Sequence, residues 1–167
     1  ALGIYGEDND LGWRLLRAGY QTLYCPSAKV THNHLYTTGG ALRNGYREGC
    51  GAARLHYKHN LWLPRDLAPL VAAVACALLA AISRIFAWGA VGCFLLFIAA
   101  LLFNEIHYKA KSYPLALLVL PFQLVWYAMK FFGFFGMVVR ILLRLEPDLI
   151  ESKRRYRSCL REKREEE

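Results

Sequence analysis

The chain has 167 residues, of which 56% are hydrophobic, and it carries a formal net charge of +8. Its mean hydropathy of +0.21 is typical of a protein that lies partly in a membrane. The five cysteines are scattered and odd in number, so we expect no disulfide framework. The basic residues flank apolar segments and form no single soluble basic face, so no nucleic-acid partner is expected.

The first predicted element is a short helix that begins at Leu11 and ends at Gly19, preceded by an acidic cluster. Asp10 is placed to cap this helix, because aspartate accepts hydrogen bonds from the free amide groups of a first turn. Glu7 and Asp8 come just before the cap. The cluster therefore supplies a capping carboxylate in Asp10 and two further carboxylates, Glu7 and Asp8, at the start of the helix.

Two short strands are predicted next, at 20–25 and 28–32, separated by Pro26. Ala28, Val30 and His32 share one face of the second strand because side chains alternate along it. His32 then comes at the end of the strand.

A longer helix is predicted over 41–58, although its glycines weaken the pattern. Arg43, Arg47, Arg54 and Lys58 fall within an arc of about 60° at 100° per residue. Arg43 and Arg47 are the better candidates for binding phosphate, whereas Arg54 and Lys58 fit a solvated face or lipid headgroups equally well.

The composition changes near residue 66, because residues 67–103 contain a single charge, Arg84. Segments 67–83 and 85–103 are each about 26–29 Å long as helices, close to the thickness of the hydrocarbon layer. They are predicted to form a transmembrane hairpin that turns at residues 83–84. The basic residues lie mainly outside the hairpin, which places both of its ends in the cytoplasm.

A third apolar segment, 114–145, has polar residues along one stripe that spans about 100°. This pattern is compatible with an amphipathic helix at the membrane interface or with a further transmembrane helix. Two spans with an in-plane helix are preferred, and three or four spans remain open. Residues 146–167 form a basic tail that is expected to stay in the cytoplasm. The stripe consists of Gln123, Lys130, Arg140 and Arg144.

Three motifs together resemble the C-terminal half of the family 2 glycosyltransferases. They are an acidic E-D-x-D-L-G-x-R-L series over 7–15, a P-x-A-x-V-x-H series over 26–32, and an R-x-x-Y-R-x-G series over 43–49. The resemblance covers residues 1–60, and the apolar segments agree with it in general layout. It implies a mixed-sheet, nucleotide-sugar-binding α/β domain of the GT-A type, whose C-terminal portion would be residues 1–66.

The resemblance also implies the reaction and its residues. Asp8 would be the general base of an inverting transfer from a nucleotide-diphosphate sugar, with Glu7 supporting it. Arg43 and Arg47 would assist the departing diphosphate. His32 would be a ligand of a divalent cation, Mg²⁺ or Mn²⁺, although imidazole is a minority ligand for such ions.

The acceptor is expected to be a lipid-linked or cell-surface glycan, extended by one sugar at a time. No Q-x-x-R-W series of the processive synthases follows the acidic motif. The expected location is the cell membrane, with several passes and a cytoplasmic catalytic region.

The chain begins with Ala1, and little sequence precedes the acidic cluster. We therefore expect a C-terminal fragment that lacks the donor-binding half and is inactive alone. The alternative is a non-enzymatic membrane protein, either a scaffold or a transporter accessory protein, whose basic residues bind anionic lipid.

Overall fold

The computed structural model describes residues 6–31, 37–61, 63–108 and 112–166. No β-strand is present within these ranges, so the predicted α/β fold is wrong and the described chain is all-α. The elements are α1 (Glu7–Arg17), α2 (Thr38–His59), α3 (Ala68–Leu79), α4 (Arg84–Phe103), a one-turn π-helix (Asn104–Tyr108), α5 (Tyr113–Leu142) and α6 (Pro147–Glu166).

The predicted strands fall in a segment without regular structure, residues 20–31, and His32 lies outside the described residues. The side chains that should alternate between two environments are all exposed, with Leu23 at 89%, Tyr24 at 90% and Val30 at 81%. A strand is stabilised by backbone hydrogen bonds to a neighbouring strand, and the described residues provide none. The alternating pattern alone therefore does not produce a strand here.

Helix α1 begins at Glu7, four residues earlier than predicted, and Gly6 precedes it in the left-handed conformation with a φ of 93°. No side chain caps the helix, so the predicted capping role of Asp10 is wrong. Asp10 lies inside the first turn, and its carboxylate is used elsewhere. The predicted C-terminal stop at Gly19 is confirmed, since this residue has a φ of 84°.

Helix α2 packs closely against the second half of α5 through glycines. A Cβ atom on Gly49 would overlap the carbonyl oxygen of Lys130, and one on Gly133 would overlap that of Tyr46. The two backbones approach so closely because neither glycine has a side chain. Gly49, one of the glycines that weakened the helix prediction for α2, is therefore a packing position.

The chain divides into two compact units, one drawn from residues 1–61 and 129–167 and the other from residues 62–128. In the first unit, α6 also packs on α2. In the second unit, α3 packs along α4, and the ring of Phe97 meets the ring of Tyr127 edge-on at 5.3 Å. Phe97 and Leu101 are buried there at 3% and 5% exposure.

Two helices are long and apolar enough to cross a membrane, residues 84–107 and 113–142. They measure about 36 Å and 45 Å at 1.5 Å per residue. Helix α3 has 12 residues, or about 18 Å, which is shorter than the hydrocarbon layer. Large apolar side chains cover the outside of these helices, including Leu78, Ile85, Trp88, Leu96 and Leu118.

The polar stripe of the third apolar segment is partly engaged in ion pairs. Lys130 is buried and its Nζ atom lies 2.8 Å from Oε1 of Glu48 on α2. Arg140 pairs with Glu146 at 3.0 Å. The stripe therefore faces protein at Lys130, whereas Arg140 remains exposed beside its partner.

Candidate functional site

Asp10 is the centre of an ion-pair cluster that joins α1 to the last turn of α2. Its Oδ2 atom lies 2.8 Å from Nζ of Lys58, and its Oδ1 atom lies 2.7 Å from Nε2 of His59. Arg14, one turn further along α1, approaches the same carboxylate at 3.3 Å. Asp10, Lys58 and His59 are all buried. Their burial makes this pairing a fixed attachment of α1 to α2.

Aromatic rings enclose the histidine of this cluster. The Trp13 ring stacks on His59 with centroids 5.9 Å apart, and Tyr156 of α6 meets it edge-on at 4.9 Å. Because a carboxylate can only accept, His59 donates its Nε2 proton to Asp10. The Nδ1 atom has no hydrogen-bond partner in the described structure. The imidazole therefore supports Asp10 from inside the protein, without access to solvent.

The pKa of Asp10 reflects opposing effects. Burial, the largest single effect, raises it, but the hydrogen bonds from Lys58 and His59 and the positive charges of Lys58 and Arg14 outweigh burial, so the pKa lies below its ordinary value of 3.8. Asp10 is therefore ionised at neutral pH. An ionised, fully paired carboxylate is suited to holding structure rather than to exchanging protons with a substrate.

Glu7 and Asp8 have the opposite environment. Both lie in the first turn of α1 and both side chains are exposed. Asp8 is two residues from Asp10, so the buried cluster holds its backbone while its carboxylate faces solvent. Asp8 can therefore accept a proton from a bound molecule, and Glu7 lies next to it in the chain.

Arg43 and Arg47 lie on the same face of α2 as the residues that contact α1, but nearer to the N-terminal end of α2. A Cβ atom built on Gly6 would come within 3.4 Å of the carbonyl oxygen of Gly51, which fixes the start of α1 beside the middle of α2. Arg43, Arg47, Gly51 and Lys58 fall within an arc of about 80°. Arg47 is one turn before Gly51, and both arginines are exposed. This face of α2 therefore presents cations where α1 no longer covers it.

Two further basic residues of α2 bind carboxylates of other segments. Lys58 holds Asp10, and Arg54 binds Glu146 at 3.0 Å. Of the environments left open for Lys58, the solvated face is therefore wrong, because this residue is only 7% exposed. Sequence reasoning missed this cluster because the partners are 48 and 49 residues apart. The only local signal was the unusual concentration of His56, Lys58 and His59 at the end of a predicted helix.

The described residues contain no group of three or more histidine, cysteine, aspartate or glutamate side chains that could hold a metal ion. His32, the predicted ligand, lies outside the described residues. The divalent cation implied by the resemblance therefore lacks a donor set in the described part of the chain.

Comparison with protein families, with curated proteins and with solved structures finds no match to this chain.

Proposed function

We propose that this chain carries the general base of a membrane-attached glycosyltransferase, which transfers a sugar from a nucleotide-diphosphate donor with inversion. The proposal is supported by one arrangement above all. Asp8 is an exposed carboxylate on a helical turn, and the neighbouring Asp10 fixes that turn through Lys58 and His59. A general base needs both properties, because it must reach the acceptor and keep its position.

The proposed chemical step uses residues on α1 and α2. An acceptor hydroxyl oxygen attacks the anomeric carbon, and Asp8 takes the hydroxyl proton as the new glycosidic bond forms. The bond between the anomeric carbon and the diphosphate oxygen breaks at the same time, and its electron pair leaves with the diphosphate. Arg43 and Arg47 stabilise the negative charge on that leaving group.

The described residues offer no donor set for a divalent cation. No part of the proposed step therefore passes through a metal ion. Arg43 and Arg47 supply the positive charge that the step requires.

Attachment to a membrane is supported by the two long apolar helices, residues 84–107 and 113–142. A lipid-linked or cell-surface glycan acceptor would meet the site at the lipid surface. We place the catalytic region in the cytoplasm, with the basic residues of α6 on the same side. The ion pair of Arg54 with Glu146 and the hydrogen bond from Arg17 to the Tyr156 hydroxyl group support a common side for both regions.

The test is sugar transfer by the full-length gene product in detergent, screened against a panel of nucleotide sugars with a membrane lipid extract as acceptor. Asp8→Asn should lower the transfer rate by about 10²–10⁴, the usual contribution of a general base. Asp148→Asn is the matched control, since Asp148 is also an exposed aspartate in a first helical turn. It should leave the rate unchanged.

Donor binding should survive the Asp8→Asn substitution, because the base contacts the acceptor. Transfer by Asp8→Asn at the wild-type rate would remove Asp8 from the mechanism. If the protein bound no nucleotide sugar at all, the non-enzymatic scaffold or transporter accessory protein would become the better description.

A further inference from the structure

A polar cavity lies between the end of α2 and one face of α6, and Asp8 does not line it. Its volume is about 460 Å³, which is within the usual range for pockets that bind small molecules. Tyr57 contributes from α2 and the remaining described lining comes from α6. The lining residues are Tyr57, Ile150, Lys153, Arg154, Arg157 and Ser158.

All charged side chains in the described lining of this cavity are positive. Lys153, Arg154 and Arg157 line it, and no carboxylate does so among the described residues. Asp148 and Glu151 line a separate groove on α6 together with Arg155. Arg154 also lies 3.6 Å from Oε2 of Glu151, so part of its charge is offset and the cavity depends mainly on Lys153 and Arg157.

Neighbouring groups orient two of the cations. Nζ of Lys153 lies 3.9 Å from the centroid of the Tyr57 ring, a cation–π contact. The guanidinium group of Arg157 donates to Oδ1 of Asn60 at 3.2 Å. The hydroxyl group of Ser158 donates to the carbonyl oxygen of Arg155 at 2.9 Å, so the lysine and arginines supply the remaining donors. These contacts favour one arrangement of the charged groups before any ligand arrives.

The surroundings of the cavity disfavour the charged form of Lys153. Burial, and then the positive charge of Arg157, lower the pKa of Lys153 below its ordinary value of 10.5. A bound anion would relieve both effects, since it replaces lost hydration and offsets the repulsion between the two cations.

We propose that this cavity is a binding site for a phosphate group. A phosphate has several oxygens for the donors of two or three cations, and arginine binds it in a bidentate manner. The group could belong to an anionic lipid, because α6 begins five residues after the apolar helix α5 ends, or it could be free in solution. The site goes beyond the proposed transfer reaction and uses none of its residues.

The test is native mass spectrometry of the full chain in neutral detergent with three probes: inorganic phosphate, dioleoyl phosphatidate and dioleoyl phosphatidylcholine. The wild type should bind phosphatidate or inorganic phosphate in preference to phosphatidylcholine. Phosphatidate binding without inorganic phosphate binding identifies the lipid as the source, and binding of both identifies a site for the phosphate group itself.

Arg157→Gln should weaken that binding at least tenfold, and Lys153→Gln should weaken it in the same direction. Arg155→Gln is the matched control, because it removes the same charge from the same helix, where Arg155 pairs with Glu151 at 3.1 Å outside the cavity. The affinity of the Arg155→Gln variant for the same phosphate probe should stay within twofold of the wild-type affinity.

Equal losses in Arg155→Gln and Arg157→Gln would overturn the site and leave only general attraction to a basic helix. Binding of neither phosphate probe by the wild type would overturn it as well. Unchanged phosphate binding in both Lys153→Gln and Arg157→Gln would also overturn the proposed site. Thermal unfolding of each variant confirms that the comparison is made between folded proteins.

Discussion

Nζ of Lys58 lies 2.8 Å from Oδ2 of Asp10 across 48 residues of sequence. This contact joins the first turn of α1 to the last turn of α2, and His59 reinforces it at Oδ1 from the adjacent position. The exposed Asp8 is two residues away on the same turn. The position of the proposed base therefore depends on a buried salt bridge that does not take part in the reaction.

The first prediction concerns the stability that Asp10 provides. Asp10→Asn should lower the free energy of unfolding by about 3–5 kcal/mol, because it leaves Lys58 buried without a countercharge. Asp8→Asn, which removes an equal charge two residues away, should change it by less than about 0.5 kcal/mol. Thermal unfolding in detergent measures both. Equal effects of the two substitutions would contradict a structural role confined to Asp10.

The second prediction is a pH dependence with a defined sign. The pKa of Asp10 is lowered in the folded protein, so its contribution is fully present above the unfolded value near 3.8 and is lost as the pH falls through the folded pKa. The difference in unfolding temperature between the wild type and Asp10→Asn should therefore be constant from pH 7 to 5. It should shrink below about pH 4.

A difference that shrank instead on raising the pH from 5 to 7 would assign the effect to a group other than this carboxylate. Asp8→Asn serves as the control at each pH, since its side chain is exposed.

Local sequence predicts where helices form far better than it predicts which segments pack or pair with one another. The sequence predicts a helix from Ala41 to Lys58, and the structure extends it only slightly, to Thr38–His59. In contrast, the alternating side chains near Leu23 and Val30 predicted strands that do not form. The spacing of apolar residues shows which face of a segment is apolar. A strand also needs a partner strand, and a local sequence pattern cannot show whether one is present.

The site shows the same limit. The acidic cluster was visible in the sequence, but the roles of its members were not, because burial decides them. Asp10 was expected at a helix end and lies instead inside the first turn against Lys58. Only the packing of α1 on α2 separates the buried carboxylate from the exposed Asp8. Likewise, a solvated face was one open alternative for Arg54 and Lys58, but Lys58 is buried and Arg54 is half-buried against partners far along the chain.

The third prediction tests the close approach of α2 and α5. Gly133→Ala places a methyl group against the carbonyl oxygen of Tyr46, which should cost about 1–3 kcal/mol or more because the two helices must separate. Gly136→Ala on the same helix meets nothing closer than 3.8 Å. It should be neutral or stabilising by up to about 1 kcal/mol.

Thermal unfolding of the two alanine variants provides the comparison. A Gly133→Ala protein as stable as the Gly136→Ala protein would show that the backbones of α2 and α5 do not approach closely.

The fourth prediction concerns thiol reactivity. The hydrogen bond with Ser27, and then the amides of Ala28 and Ser27, lower the pKa of the exposed Cys25, whereas burial raises that of Cys50. Since the thiolate is the reactive form, Cys25 should react with a maleimide at least about tenfold faster than Cys50 at pH 7.5. Labelling of single-cysteine variants, followed by intact mass, gives both rates. Denaturant should remove most of the difference.

The fifth prediction is topological and follows from contacts between distant parts of the chain. Arg54 of α2 binds Glu146, and Arg17 of α1 donates to the Tyr156 hydroxyl group of α6. Because of these contacts, we predict that the regions before and after the apolar helices are on one side of a membrane and that the number of crossings is even. The two apolar helices that are long enough satisfy this condition together.

Cys25 and Cys159 are exposed and lie on opposite sides of these helices in the sequence. A membrane-impermeant maleimide should therefore label both in inverted vesicles and neither in intact cells, when each is the single cysteine of its variant. Labelling of Cys159 from outside and of Cys25 only from inside would require an odd number of crossings. Such a result would separate α6 from α1 and α2, and with it the aromatic enclosure of His59 by Tyr156 would be lost.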